Sequence, residues 1–130
     1  MGYTLFEYKG NGSKPPFSKW RDGLDGRARG ALESRMDILR TKAPEDWPPE
    51  MITGTSYGQI KKMRVKQKSD VQLRPRLCFG PVDTSTEVSF LVGVHKKGDR
   101  EEPDEADKTA NARRLEIKDS PVIKRCPYVS

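Results

Sequence analysis

Histidine occurs once and cysteine twice among 130 residues, and no run of apolar residues is long enough to cross a bilayer as a helix. Cys78 and Cys126 are too few and too far apart for a disulfide framework or a four-ligand zinc site, so they read as reduced thiols. The amino-terminal residues lack the apolar stretch of a signal peptide. The expectation is a soluble cytoplasmic protein with no membrane partner, no metal and no cofactor. Apolar residues are also scarce, at 33% against 34% charged, so the core must be small and supplied by a few well-patterned segments. The length suits one domain. We assign 1–117 to a single domain and 118–130 to a basic tail of unassigned conformation.

What the chain does have is positive charge. Lys and Arg number 25 against 19 Asp and Glu, a formal balance of +6 that suggests an acidic partner such as nucleic acid. The charge is concentrated from Ile60 to Phe79, where two short runs alternate apolar and basic residues. Strand side chains alternate faces, so Lys61, Met63 and Val65 point one way while Ile60, Lys62, Arg64 and Lys66 point the other. In the second run Leu73, Leu77 and Phe79 oppose Arg74, Arg76 and Cys78. A hairpin closed by Gln67 to Asp70 would gather Lys62, Arg64, Arg74 and Arg76 on one outer face, a crowding that an anion would relieve. Pro75 removes a ladder donor and places this strand at an edge or a bulge.

The remaining elements follow from periodicity. Tyr3 to Tyr8 fits a strand. Phe17, Trp20 and Leu24 recur at helical spacing, and a second helix runs from a cap at Asp25 to about Thr41 with Ala28, Leu32, Met36 and Leu39 as its apolar stripe. The segment Lys42 to Tyr57 reads as a connector with a brief strand near Met51 to Thr53, and Trp47 plugs the core edge. Glu87 to His95 is the strongest strand, with Val88, Phe90, Val92 and Val94 on one face. Pro103 opens a last helix to Ile117, acidic first and basic later, as the helix dipole favours. The predicted fold is α+β: a small twisted antiparallel sheet with an N-terminal αα-hairpin and a C-terminal helix, helices on one face and the other face open and basic.

Three phrases carry a resemblance: Phe17 to Gly30 (FSKWRDGLDGRARG), Ile60 to Val65 (IKKMRV), and Phe90 to Lys97 (FLVGVHKK) before a charged helix. In order and spacing they resemble the phage-derived HigB branch of the RelE-type toxins over about residues 3–117. The resemblance implies a RelE-like fold and an endoribonuclease toxin of a type II toxin–antitoxin pair. It further implies messenger RNA, commonly on the ribosome, as substrate, and a cognate antitoxin with a helix-turn-helix domain as partner.

RNA cleavage can use the substrate's own 2′-hydroxyl as nucleophile, which needs proton transfer and charge stabilisation but neither metal nor covalent intermediate. Arg64 and Arg76 are the candidates for the charged phosphorane, because a guanidinium stays protonated and meets two oxygens at once. Lys62 or His95 is the candidate base. Arg74, Lys66, Lys96 and Lys97 complete the candidate RNA contacts, the last two being matched by a lysine pair in the family. Each has a plainer alternative: Lys62 and Arg64 as a solvated sheet face, His95 as a strand end, Lys96 and Lys97 as a charged turn. Trp20 and Trp47 read as packing residues before base-stacking ones. Tyr128 either stacks on a base or belongs to a disordered tail. The alternative function is a non-catalytic module of phage origin that binds RNA, the ribosome or a host protein.

Overall fold

The computed structural model describes residues 2–67 and 70–130. In chain order the elements are β1 (Thr4–Tyr8), α1 (Pro16–Asp22), α2 (Gly26–Thr41), a single 3₁₀ turn at Pro44–Asp46, β2 (Ile52–Gly54), β3 (Lys61–Met63), β4 (Val71–Leu73), β5 (Arg76–Phe79), β6 (Glu87–Val92), β7 (His95–Lys97), β8 (Arg100–Glu102), α3 (Ala106–Asp119), α4 (Pro121–Lys124) and β9 (Arg125–Pro127). The fold is α+β. A six-stranded sheet runs in the order β2-β3-β5-β6-β1-β9, and a three-stranded sheet in the order β4-β7-β8.

Local chemistry explains the two N-terminal helices. Pro15 and Pro16 open α1, where a missing backbone N–H costs nothing. The Asp25 carboxylate accepts from Ala28 N at 2.8 Å and caps α2. The stripe Ala28, Leu32, Met36 and Leu39 is buried as its spacing predicts, and it packs with Phe17, Met63, Val65, Leu73, Leu77, Val88 and Phe90 from the sheets and α1. Each fully buried large side chain among these contributes about 1.5–3 kcal/mol of transfer free energy. Trp47 is partly buried at this core, its ring parallel to Phe79 at 6.3 Å.

Several expectations are corrected. The sheet is mixed, because β1 lies parallel to β6 while its other neighbour β9 is antiparallel. The second sheet face is not open. Helix α3 covers it with Ala106, Ala110 and Ile117, which pack with Ile60, Cys78, Leu91, Val92 and Val94 in a second core. The small alanines let the helix approach closely, a stripe that its many charges obscure in the sequence. Val92 and Val94 join this second core rather than sharing a face with Val88 and Phe90. The register of β5 on β6 shifts between Arg76 and Leu77, leaving Leu91 as an extra residue and reversing the alternation beyond it. Arg113 of α3 donates to the Leu91 carbonyl at 2.7 Å.

The basic hairpin is also divided. Lys61 and Lys62 of β3 pair with Leu77 and Arg76 of β5, but β4 pairs with β7 in the other sheet, and Val65 meets Leu73 only in an isolated bridge. Pro75, buried between β4 and β5, is where the two sheets part. Part of the proposed closing loop, residues 68 and 69, lies outside the described residues. Residues 118–130 are built into the fold: β9 adds to β1, and Tyr128 is buried against Phe17 and Phe90, with its hydroxyl on Glu33. Tyr128 is therefore a core residue and is not placed to stack on a base.

Candidate functional site

The β7–β8 hairpin organises the charged groups. Lys97 and Arg100 flank a two-residue turn, Gly98–Asp99, and Gly98 takes φ 62°, which glycine adopts without the clash a Cβ would bring. This turn fixes the register: Lys97 opposite Arg100, Lys96 opposite Glu101, His95 opposite Glu102. Opposed side chains lie about 4.5–5.5 Å apart at Cβ, and successive pairs face opposite sides. His95, Glu102, Lys97 and Arg100 accordingly line one open cleft of about 420 Å³ with Val71. Lys96 and Glu101 face the other way.

Trp20 fixes the histidine. Its Nε1–H donates to His95 Nδ1 at 3.0 Å, and the two rings meet nearly edge-on at 5.5 Å. Gly93 makes room, since a Cβ there would fall 2.1 Å from the indole. With Nδ1 accepting, a neutral His95 carries its proton on Nε2, so the ring can offer a donor to the cleft. The lone pair a general base would use is engaged.

On the other side of the hairpin a second cleft, about 390 Å³, holds Lys62, Arg76 and Lys96 beside Glu101 and Asp107. Arg76 is 1% exposed. Its Nη2 donates to Glu101 at 2.5 Å, its Nε to Asp107, and its Nη1 to the Arg74 carbonyl at 2.5 Å. This fork ties β5 to β8 and α3, and its donors are occupied by the protein itself.

The remaining sequence candidates scatter. Arg64 lies 3.4 Å from Glu50 at the surface. Arg74 is 8% exposed, with Nη1 donating to the Leu73 carbonyl at 2.9 Å; burial first, then the Arg64 charge, lowers its pKa. Lys66 and Lys97 are exposed, and Lys62 and Lys96 half-buried. The structure thus groups Lys62, Arg76 and Lys96 on one side and His95 with Lys97 on the other, rather than gathering all the cations into one pocket.

Sequence reasoning missed Arg100 and Glu102. The signal was present: a Gly-Asp pair flanked by charged residues marks a two-residue hairpin turn, which was read only as a charged turn. Cys78 is buried, its thiol pushed up to about 12 mainly by desolvation, which keeps it unreactive. Among the described residues no group of three or more His, Cys, Asp or Glu is arranged to hold a metal ion, and no helix is long and apolar enough to cross a membrane. No protein-family model, curated protein or solved structure matches this chain.

Proposed function

We propose that this protein is an endoribonuclease that cleaves messenger RNA, on the ribosome, through the RNA's own 2′-hydroxyl, in the manner of the RelE/HigB-type toxins its sequence resembles. On this reading it is cytoplasmic and is held in check by a cognate antitoxin with a helix-turn-helix domain. The observation that carries the reading is the open cleft where the cross-strand pairs His95/Glu102 and Lys97/Arg100 face one another. It offers an acid–base group beside two cations, the set that phosphodiester transfer requires.

The roles follow from the chemistry of each group. The Glu102 carboxylate takes the 2′-proton as the 2′-oxygen forms its bond to phosphorus. Arg100 and the Nε2–H of His95 hold the non-bridging oxygens, where negative charge grows in the transition state. Lys97 delivers a proton to the 5′-oxygen as its bond to phosphorus breaks. Solvent then returns a proton to Lys97 and removes one from Glu102, and the product ends in a 2′,3′-cyclic phosphate. Arg76 holds the hairpin in place from behind instead of contacting the phosphate.

The test is incubation of the purified protein with single-stranded RNA and with translating ribosomes, in chelator, with the new ends sequenced. Cyclic-phosphate ends that disappear in Glu102→Gln are expected. Intact RNA under both conditions would reject the catalytic reading. The non-catalytic module is the second reading, favoured by the internal pairing of Arg76, a cation that a nuclease of this pattern was expected to present to phosphate. Salt-dependent RNA binding without new ends would select it.

A further inference from the structure

A third cavity, about 330 Å³, adjoins the His95–Glu102 cleft and shares His95 and Val71 with it. Its volume falls within the range of about 300–1,000 Å³ typical of small-ligand sites. The walls come from the turn between α1 and α2, from β4 and from Gln67 in the segment between β3 and β4: Leu24, Val71 and Leu73 are apolar, and Asp25 and Gln67 are polar. Walls that mix apolar and polar groups suit the flat face and polar edge of a nucleobase, and unstacked bases are read along their Watson–Crick edge.

Asp25 decides which base. Asp25 is exposed; its Oδ1 accepts from Ala28 N, and its carboxylate makes no other hydrogen bond among the described residues. An ionised carboxylate only accepts hydrogen bonds. Guanine is the base whose Watson–Crick edge presents two adjacent donors, N1–H and the N2 amino group. Adenine and cytosine set a ring-nitrogen acceptor beside their one amino donor, and uracil sets two carbonyls around its single N–H, so each brings a lone pair against the carboxylate.

We infer that this cavity is a guanine subsite, read by Asp25, which places the base of the nucleotide whose 3′-phosphate lies between Lys97 and Arg100. The inference rests on the ribonuclease reading for the phosphate's position and adds to it a sequence preference, cleavage after G. His95, common to both cavities, stands where the ribose joins base to phosphate.

Binding of 3′-GMP, 3′-AMP, 3′-CMP and 3′-UMP to the full chain, followed through the NMR signals of the His95 imidazole and the Trp20 indole, tests it without requiring turnover. We expect 3′-GMP to bind about tenfold or more tightly than the others, the discrimination of a good two-point base contact. In Asp25→Asn that advantage should vanish with Tm unchanged, because asparagine caps a helix as well as aspartate does. Equal affinities, no binding of any nucleotide, or a guanine preference that survives Asp25→Asn would each overturn the subsite. Mapped RNA ends keep the two claims apart. Cleavage indifferent to the preceding base removes the subsite and leaves the nuclease, whereas selective 3′-GMP binding without cleavage does the reverse.

Discussion

The two sides of the β7–β8 hairpin carry similar residues and treat them in opposite ways. On one side Lys96 and Glu101 border the buried guanidinium of Arg76, which is fixed between Glu101 and Asp107. On the other, one residue along each strand, Lys97, Arg100, His95 and Glu102 line an open cleft. Period-two alternation sets Glu101, which binds Arg76, on one side of the hairpin and the pairs His95/Glu102 and Lys97/Arg100 on the other. A cation count along the sequence cannot distinguish them, but a count of partners in space does.

The sharpest way to break the contrast is Arg76→Ala. Removing the buried member leaves Glu101 and Asp107 facing each other across a cavity, and we expect a loss of about 3–5 kcal/mol in urea unfolding. An equally stable variant would mean that the fork is incidental. Next in size is Glu102→Gln on the open side. Cleavage should fall about 10²-fold or more, the scale of a lost general base, while Tm stays within a degree or so of the parent. A parallel drop in Tm would move Glu102 into the structural set.

Arg100→Ala and Lys97→Ala should each weaken RNA binding modestly and lower the salt slope of the binding constant by about one. Arg76→Ala, measured where it remains folded, should leave that slope unchanged. The smallest effect concerns Glu7, a buried carboxylate whose hydrogen bonds among the described residues all come from Ser18, at 3.0 Å from its backbone N–H and 2.7–2.8 Å from its hydroxyl. Desolvation raises its pKa above 4.5, against the lowering influence of Ser18 and Arg21. Between the unfolded value and the raised folded one, the folded chain binds more protons than the unfolded chain. The contribution of Glu7 to stability is therefore full at lower pH and is lost as pH rises through the folded value. Tm followed from acid to neutral pH should lose this downward component in Glu7→Gln; an unchanged profile would show that Glu7 does not titrate differently on folding.

Much of the fold was legible because it depends on neighbours along the chain. The Asp25 cap, the Ala28–Leu39 stripe, and the opposed faces of Met63/Val65 and Leu73/Leu77 are all set within a few residues. The extra residue at Leu91 was not legible, since it exists only relative to the register of β5. Nor was β8: Arg100, Glu101 and Glu102 show no apolar alternation, and they form a strand because β7 offers them a ladder. The candidate site suffered most. Lys97 and His95 were named as candidates from the sequence, whereas Arg100 and Glu102, which oppose them across the hairpin, were not.

The sequence by itself determined which side chains are apolar, where helices begin, and that adjacent strand residues must look in opposite directions, because backbone geometry and hydration act locally. Only the tertiary structure decided which cations are retained inside and which remain open. Arg76 finds its carboxylates 25 and 31 residues further along the chain, and a charge leaves water only where such partners await it.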